Sequence, residues 1–162
     1  IVPLAQFCLS HGYELRFIEQ MPLGPAGEWQ RSRLVSADEI LAMLGAAFTL
    51  TPASAARGAA PAALWEVAPD ATQPGGTVGV IASVTRPFCG ACNRTRLTAD
   101  GQVRSCLFSQ KETDLRALLR GGGSDEALAE AWRTAQWGKP RAHGIDDEGF
   151  QPPERTMSAI GG

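Results

Sequence analysis

The feature that most constrains this chain is a group of three cysteines in the segment FCGACNRTRLTADGQVRSCLF (88–108). Cys89 and Cys92 have CxxC spacing, and Cys106 follows beyond Asp100–Gly101, a residue pair typical of a hairpin turn. The segment therefore predicts a hairpin that gathers three thiolates around one point. A closed structural zinc site needs four protein ligands, and this segment offers only three.

Three thiolates suit an iron–sulfur cluster that keeps one coordination position for a substrate, because soft sulfur ligands select such clusters or zinc. Two other interpretations stay open from the spacing alone. One is a zinc site completed by a distant residue such as Cys8 or His143. The other is a redox disulfide between Cys89 and Cys92, or cysteines that are simply packed in the core.

Two arginines follow the CxxC pair directly, Arg94 and Arg96, with Thr95 between them. A guanidinium group is always charged and presents a planar fork of donors that matches phosphate. The segment thus predicts an anion-binding site beside a metal centre. The alternative is that the two arginines only pair with surface carboxylates.

The order of the hairpin residues predicts its loop. A two-residue turn at Asp100–Gly101 would pair Thr95 with Cys106 and point both arginines away from that cysteine. A three-residue loop, with Gly101 at positive φ, places Arg94 opposite Cys106 instead. We therefore predict the three-residue loop, because it lets the arginines and the cysteine act on one ligand.

At this point three stretches carry a resemblance. The pattern CxxCNRxRLTxDG followed by CL resembles the C-terminal cluster motif of the GTP 3′,8-cyclases of molybdenum cofactor biosynthesis, the MoaA family of radical S-adenosylmethionine enzymes. RFIEQMPLG (16–24) and RTMSAIGG (155–162) agree with the family in the same order. The family's CxxxCxxC signature is absent, so the chain resembles the C-terminal half of the enzyme, cut within its barrel.

The resemblance implies an activity and its ligands. In the family, an N-terminal [4Fe–4S] cluster cleaves S-adenosylmethionine to a radical that takes the hydrogen from C3′ of GTP, and the new carbon radical attacks C8 of guanine. A second [4Fe–4S] cluster positions the substrate, and the matching ligands are Cys89, Cys92 and Cys106. The family's GTP-binding segment matches Arg94, Thr95 and Arg96. No catalytic residue is assigned in this chain, which is expected to be inactive alone and part of a lyase when complete.

Four further residues receive roles from the resemblance. Met21 matches a position that lines the S-adenosylmethionine site, and Arg16 lies nearby. The alternative for Arg16 is a strand residue paired with a barrel carboxylate. Gly161 and Gly162 match a tail that reaches the active site, and glycine suits that role because its backbone can approach a ligand closely. A frayed terminus is the simpler alternative.

Composition limits the partners. With 162 residues and 44% hydrophobic content, the chain can bury the core of one ordinary domain. A net charge of −2 gives no general attraction to nucleic acid or to an anionic membrane. No apolar run approaches the length of a bilayer span and no signal peptide is visible, so the cytoplasm is the expected location. A homodimer stays open, as do two other function classes, a zinc-binding structural module and an iron–sulfur electron carrier.

Periodicity predicts an α/β chain. A helix over residues 2–9 that ends at Gly12 precedes a strand that ends near Glu19, and this alternation of helix and strand is typical of an α/β barrel. Ser36 with Glu39 forms a capping-box pattern that starts a helix, and strands cover 64–67 and 77–84. Two helices follow the hairpin, the second capped by Ser124, with an extended tail after them. We expect the end of an incomplete TIM-type barrel in residues 1–24. Residues 25–162 are expected to form a small α+β region whose antiparallel strands carry the hairpin.

Overall fold

A computed structural model describes residues 1–24 and 28–160. The chain divides into two compact units. The first comprises Ile1–Met21 and Gln30–Cys92, and the second comprises the described parts of Pro22–Trp29 and Asn93–Gly162. A barrel end in residues 1–24 followed by a separate C-terminal region stays a prediction.

The first unit is built on a mixed sheet with the strand order β1-β4-β3-β2. Its strands are β1 (Leu15–Ile18), β2 (Leu50–Pro52), β3 (Ala63–Val67) and β4 (Gly76–Ile81). β1 runs parallel to β4, whereas the β2–β3 and β3–β4 pairs are antiparallel. The α/β class is therefore confirmed. The described residues form no closed barrel, so the expected barrel fragment is not confirmed.

Two helices, α1 (Val2–Ser10) and α2 (Ala37–Ala47), pack against this sheet. Their apolar faces and the inner face of the sheet form one core. It contains Ala5, Leu9, Ala37, Ile40, Leu44, Phe48, Val67, Val78 and Val80. Burying such side chains stabilises the unit by about 1.5–3 kcal/mol for each large residue. Cys8 is buried on α1.

The boundaries of both helices follow local chemistry. α2 begins with the predicted capping box, since the Ser36 hydroxyl accepts from the Glu39 amide and the Glu39 carboxylate accepts from the Ser36 amide. α1 ends ahead of Gly12, which has φ +71°. β2 is not predicted from the sequence. The stretch around it is rich in alanine and proline, which is typical of a surface connection.

The second unit contains an antiparallel sheet in the order β5-β6-β7. Its strands are β5 (Arg96–Leu97), β6 (Gln102–Arg104) and β7 (Thr113–Asp114). The helices α3 (Leu115–Arg120) and α4 (Asp125–Trp137) pack against each other and against β6. The expected antiparallel strands around the cysteine hairpin are thus present. α4 starts at the predicted cap, Ser124, whose hydroxyl accepts from the Ala127 amide.

The chain beyond α4 is irregular up to a 3₁₀ turn at Met157–Ile160. Ile160 is completely buried, and the Met157 amide donates to the Leu23 carbonyl over 3.3 Å. This confirms a tail held by other parts of the molecule. Of the helices in the described part of the chain, none has both the length and the apolar character that crossing a membrane requires.

Candidate metal centre and anion-binding hairpin

Cys89 and Cys92 flank a short turn at the end of the first unit. Residues Cys89–Ala91 form a 3₁₀ turn, and the Cys92 amide closes it by donating to the Cys89 carbonyl over 3.1 Å. Both side chains are half-buried thiols, as is Cys106 in the second unit. The structure therefore holds thiols where one interpretation of the sequence placed a disulfide.

The chemistry of these donors fits an iron–sulfur cluster. Sulfur is the ligand that such clusters require, and partial exposure leaves the three thiols accessible in a way that buried Cys8 is not. The described residues contain no group of three Cys, His, Asp or Glu side chains placed to hold a metal ion. This holds for the three thiols as well as for a zinc site through Cys8 or His143, so it does not distinguish the cluster interpretation from the zinc interpretation. Nδ1 of His143 accepts a hydrogen bond from the Ile145 amide over 3.0 Å.

The hairpin after the CxxC pair has the predicted three-residue loop. Arg96 pairs with Arg104 across the two strands. The Thr98 amide donates to the Gln102 carbonyl over 2.9 Å, and the three residues between them make the loop. Gly101 closes it at φ +81°, a conformation that favours glycine. This register excludes the two-residue alternative.

Residues at and just beyond the C-terminal end of α4 hydrogen-bond to the segment that carries the two arginines. Nζ of Lys139 donates to the Arg94 carbonyl over 2.6 Å, and the Thr95 hydroxyl donates to the side-chain oxygen of Gln136. Arg94 is exposed and Arg96 is half-buried. Burial, and then the charge of Arg94, lower the pKa of Arg96. Two like charges thus lie close together on an ordered backbone, which an anion between them would stabilise.

An ion-pair network that the sequence analysis missed supports this hairpin; we call it the hairpin network (Asp100, Arg104, Glu112 and Arg155). The guanidinium group of Arg155 donates to both oxygens of Asp100, over 3.1 and 2.8 Å, and also contacts Glu112. Arg104 is 3% exposed and lies 2.6 Å from the Glu112 carboxylate. Hydrogen bonds from Arg155 and Thr98 lower the pKa of Asp100. The network fastens the C-terminal segment to the hairpin.

Two of the four residues assigned to S-adenosylmethionine and to the tail, Arg16 and Met21, are described by the structure. Nε of Arg16 donates to the Glu14 carboxylate over 2.6 Å in an exposed ion pair, which does not decide between the two interpretations of this residue. Met21 is half-buried. Gly161 and Gly162 lie outside the described residues, and the roles of all four stay predictions.

A second polar centre missed by sequence reasoning lies where β1 ends. The Glu19 side chain is 1% exposed and its carboxylate accepts hydrogen bonds from the amides of Ala37, Val84 and Thr85 and from the Thr85 hydroxyl. Burial alone would raise the pKa of Glu19. The hydrogen bonds from Thr85, Val84 and Ala37 outweigh burial, so its pKa is lowered. Glu19 therefore joins the end of β1, the start of α2 and the segment that leads to Cys89.

Comparison with known proteins gives a consistent result. The family model described as Molybdenum Cofactor Synthesis C matches residues 13–145. Two curated relatives are named GTP 3′,8-cyclase and are each 60% identical to this chain. The relative from Corynebacterium glutamicum matches 100% of the chain, and the one from Mycolicibacterium smegmatis matches 99%. A third with that name, from Mycobacterium marinum, is 57% identical over 100% of the chain. The chain spans only 43–45% of the length of these relatives.

Proposed function

The chain belongs to the Molybdenum Cofactor Synthesis C family, and from this premise we propose that it is the C-terminal, GTP-binding and [4Fe–4S]-binding portion of a GTP 3′,8-cyclase. The complete enzyme converts GTP to (8S)-3′,8-cyclo-7,8-dihydroguanosine 5′-triphosphate in molybdopterin cofactor biosynthesis. The relatives named GTP 3′,8-cyclase support this proposal, since they match the chain over 99–100% of its length. The activity belongs to the complete enzyme, and this chain alone is proposed to be inactive.

In this proposal Cys89, Cys92 and Cys106 hold the cluster as thiolates. When bound through three thiolates, the cluster supplies an iron with an open position for a substrate atom. The chain's own contribution is to hold the sulfurs half-buried, which limits water around the group. The proposed location is the cytoplasm, because an iron–sulfur site needs a reducing environment.

The observation that carries the proposal is the hairpin register. Arg96 of β5 pairs with Arg104 of β6 and Gly101 closes the turn, so the same register continued by two residues would set Arg94 opposite Cys106. We assign Arg94, Thr95 and Arg96 to GTP, where the two guanidinium groups would neutralise the triphosphate. The Thr95 hydroxyl, which donates to Gln136, would fix the backbone between them.

The remaining assignments concern S-adenosylmethionine and the C-terminus. Met21 and Arg16 are proposed to line the S-adenosylmethionine site, Arg16 after release from its exposed pair with Glu14. Gly161 and Gly162 are proposed to enter the active site of the complete enzyme. The other [4Fe–4S] cluster, which acts on S-adenosylmethionine, would bind outside this chain.

The GTP assignment is tested in a full-length protein that carries both clusters. Arg94→Ala and Arg96→Ala should each weaken GTP binding by about 2 kcal/mol, or roughly 30-fold in Kd, because the triphosphate loses a charge-assisted partner. Arg→Lys at either position should restore part of the loss, since an ammonium keeps the charge without the planar fork. Isothermal titration of GTP measures both effects.

Arg133→Ala is the matched control, because Arg133 pairs with Glu130 on the exposed face of α4. It should leave GTP affinity unchanged. Native affinity in both Arg94→Ala and Arg96→Ala would refute the GTP assignment. A parallel loss of iron would show that these arginines support the cluster instead.

Metal analysis separates the proposal from the two other function classes. An anaerobic preparation should contain iron and sulfide. A zinc-binding module would contain zinc and no chromophore, and an electron carrier would be redox-active without affinity for GTP. Either result would replace the function proposed above.

A further inference from the structure

A buried carboxylate is bonded to residues 84–85, which lie shortly ahead of the candidate metal centre along the chain. Glu19 is 1% exposed, and the two oxygens of its carboxylate accept hydrogen bonds from different donors. Oε2 accepts from the amides of Val84 and Thr85 over 2.7 and 2.8 Å. Oε1 accepts from the Ala37 amide over 2.7 Å and from the Thr85 hydroxyl. One side chain therefore links the first turn of α2 to residues 84–85.

The backbone of Glu19 strengthens the same link. Its amide donates to the Ile81 carbonyl over 3.2 Å, and its carbonyl accepts from the Ser83 hydroxyl over 3.1 Å. The chain from the end of β4 to Thr85 is thus fixed to one residue. Thr85 precedes Cys89 by a few residues, so the path into the CxxC turn begins at this anchor.

Two further contacts along this path involve side chains nearer to solvent. Arg86 forms an ion pair with Asp38, and both side chains are more than half exposed. The guanidinium group of Arg57 lies 5.1 Å from the centre of the Phe88 ring. Exposed ion pairs contribute little, whereas hydrogen bonds to a buried charge are among the stronger ones. Glu19 is therefore a stronger anchor of the segment than either of these two contacts.

We propose that Glu19 is a positioning residue for the Cys89–Cys92 turn, and that it sets where the two sulfurs lie by fixing the backbone of Val84 and Thr85. This inference rests on the proposed function, in which the two sulfurs hold a cluster. Glutamine cannot replace Glu19 fully. Three of the four partners of the carboxylate are backbone amides, so in either orientation the NH₂ group of glutamine would face at least one N–H that cannot accept.

The test uses the reactivity of the thiols in the metal-free chain, so that it does not depend on a cluster. Glu19→Gln and Thr85→Val remove bonds at the anchor, and Ser36→Ala removes the cap of α2 without touching residues 83–85. Iodoacetamide labelling of each cysteine is followed by mass spectrometry. We expect Cys89 and Cys92 to react about tenfold faster in both anchor variants, since local opening becomes easier.

The two remaining cysteines are internal references. Cys106 in the second unit and Cys8 in the core of the first unit should react at native rates in every variant, and Ser36→Ala should change no cysteine. Unchanged rates at Cys89 and Cys92 in Thr85→Val would overturn the inference. So would equal acceleration of Cys8, which would mean that Glu19 supports the whole unit. If Glu19→Gln does not fold, Thr85→Val decides alone.

Anaerobic loading with iron and sulfide in a full-length protein separates this inference from the proposed function. We expect both anchor variants to retain less of the three-cysteine cluster than the native and Ser36→Ala proteins, as measured by iron content and by electron paramagnetic resonance. A native protein that binds no cluster through these cysteines would refute the proposed function. The labelling ratios would still decide the role of Glu19.

Discussion

Replacing Glu112 by glutamine tests the hairpin network most directly. The substitution keeps the size of the side chain and removes its charge. Arg104 would then keep a positive charge that is 3% exposed, with only the Ser109 carbonyl and a neutral amide near its guanidinium group. Arg155 would lose one of its two carboxylate partners and keep Asp100.

The expected loss follows from the burial of Arg104. Removing one partner of a buried ion pair costs about 3–5 kcal/mol, because the other charge stays buried without compensation. The Glu112 side chain is 22% exposed, so water can reach the site and the lower end of that range applies. We expect the free energy of unfolding to decrease by about 3 kcal/mol. The Tm should fall by roughly 6–12 °C in a chain of this size.

Urea and thermal unfolding followed by circular dichroism measure this change. Glu130→Gln is the matched control, because the same substitution breaks an exposed pair with Arg133 on α4 and should have little effect. Adding Arg104→Met to Glu112→Gln should recover part of the loss, since the uncompensated charge is then absent. If Glu112→Gln and Glu130→Gln unfold alike, the buried pair does not support the hairpin and this reasoning is wrong.

Two further predictions concern acid and the hairpin loop. The pKa of Glu19 is lowered in the folded chain, so its contribution to stability is complete above its ordinary pKa of 4.5 and is lost as the pH falls through the folded value. Acid titration of native and Glu19→Gln chains should show that the native chain loses more stability below about pH 4.5; equal losses would contradict this. Gly101→Ala should destabilise by at least about 1–2 kcal/mol, because alanine is strained at this φ and its Cβ would lie 2.6 Å from Cβ of Arg116. Gly45→Ala on α2, with nothing within 4 Å, should not destabilise, and similar unfolding curves for the two alanine variants would contradict the prediction.

Local sequence signals predicted the parts of the fold that local chemistry determines. The capping box at Ser36 predicted where α2 begins, and the need for positive φ at Gly101 predicted the hairpin loop. The alternation of apolar and polar residues predicted β1 correctly, with Leu15 and Phe17 on its inner side. The partner of β1 could not be predicted in this way, because β4 comes much later in the chain and the pairing depends on tertiary packing.

The buried polar residues show the same limit. Glu19 follows Phe17 by two positions, so continued alternation places it on the inner face of the sheet, and this signal was available. The hydrogen-bond partners of Glu19 could not be predicted from the sequence. A carboxylate can be buried only where several donors meet, and Ala37, Val84 and Thr85 meet only in the folded chain. The pairing of Arg155 with Asp100 likewise joins distant segments, and no spacing rule predicts it.

The two edges of the mixed sheet differ in their resistance to aggregation. β2 forms one edge and carries Pro52, which lacks the amide donor that a further strand would need. Among the described strands β1 forms the other edge and has no proline; its single charged side chain, Arg16, is paired with Glu14, and Ile18 is 53% exposed. Proteins commonly block such edges to prevent pairing between copies. Self-association of this chain at high concentration should therefore begin at β1, and a proline or lysine there is the substitution that would suppress it.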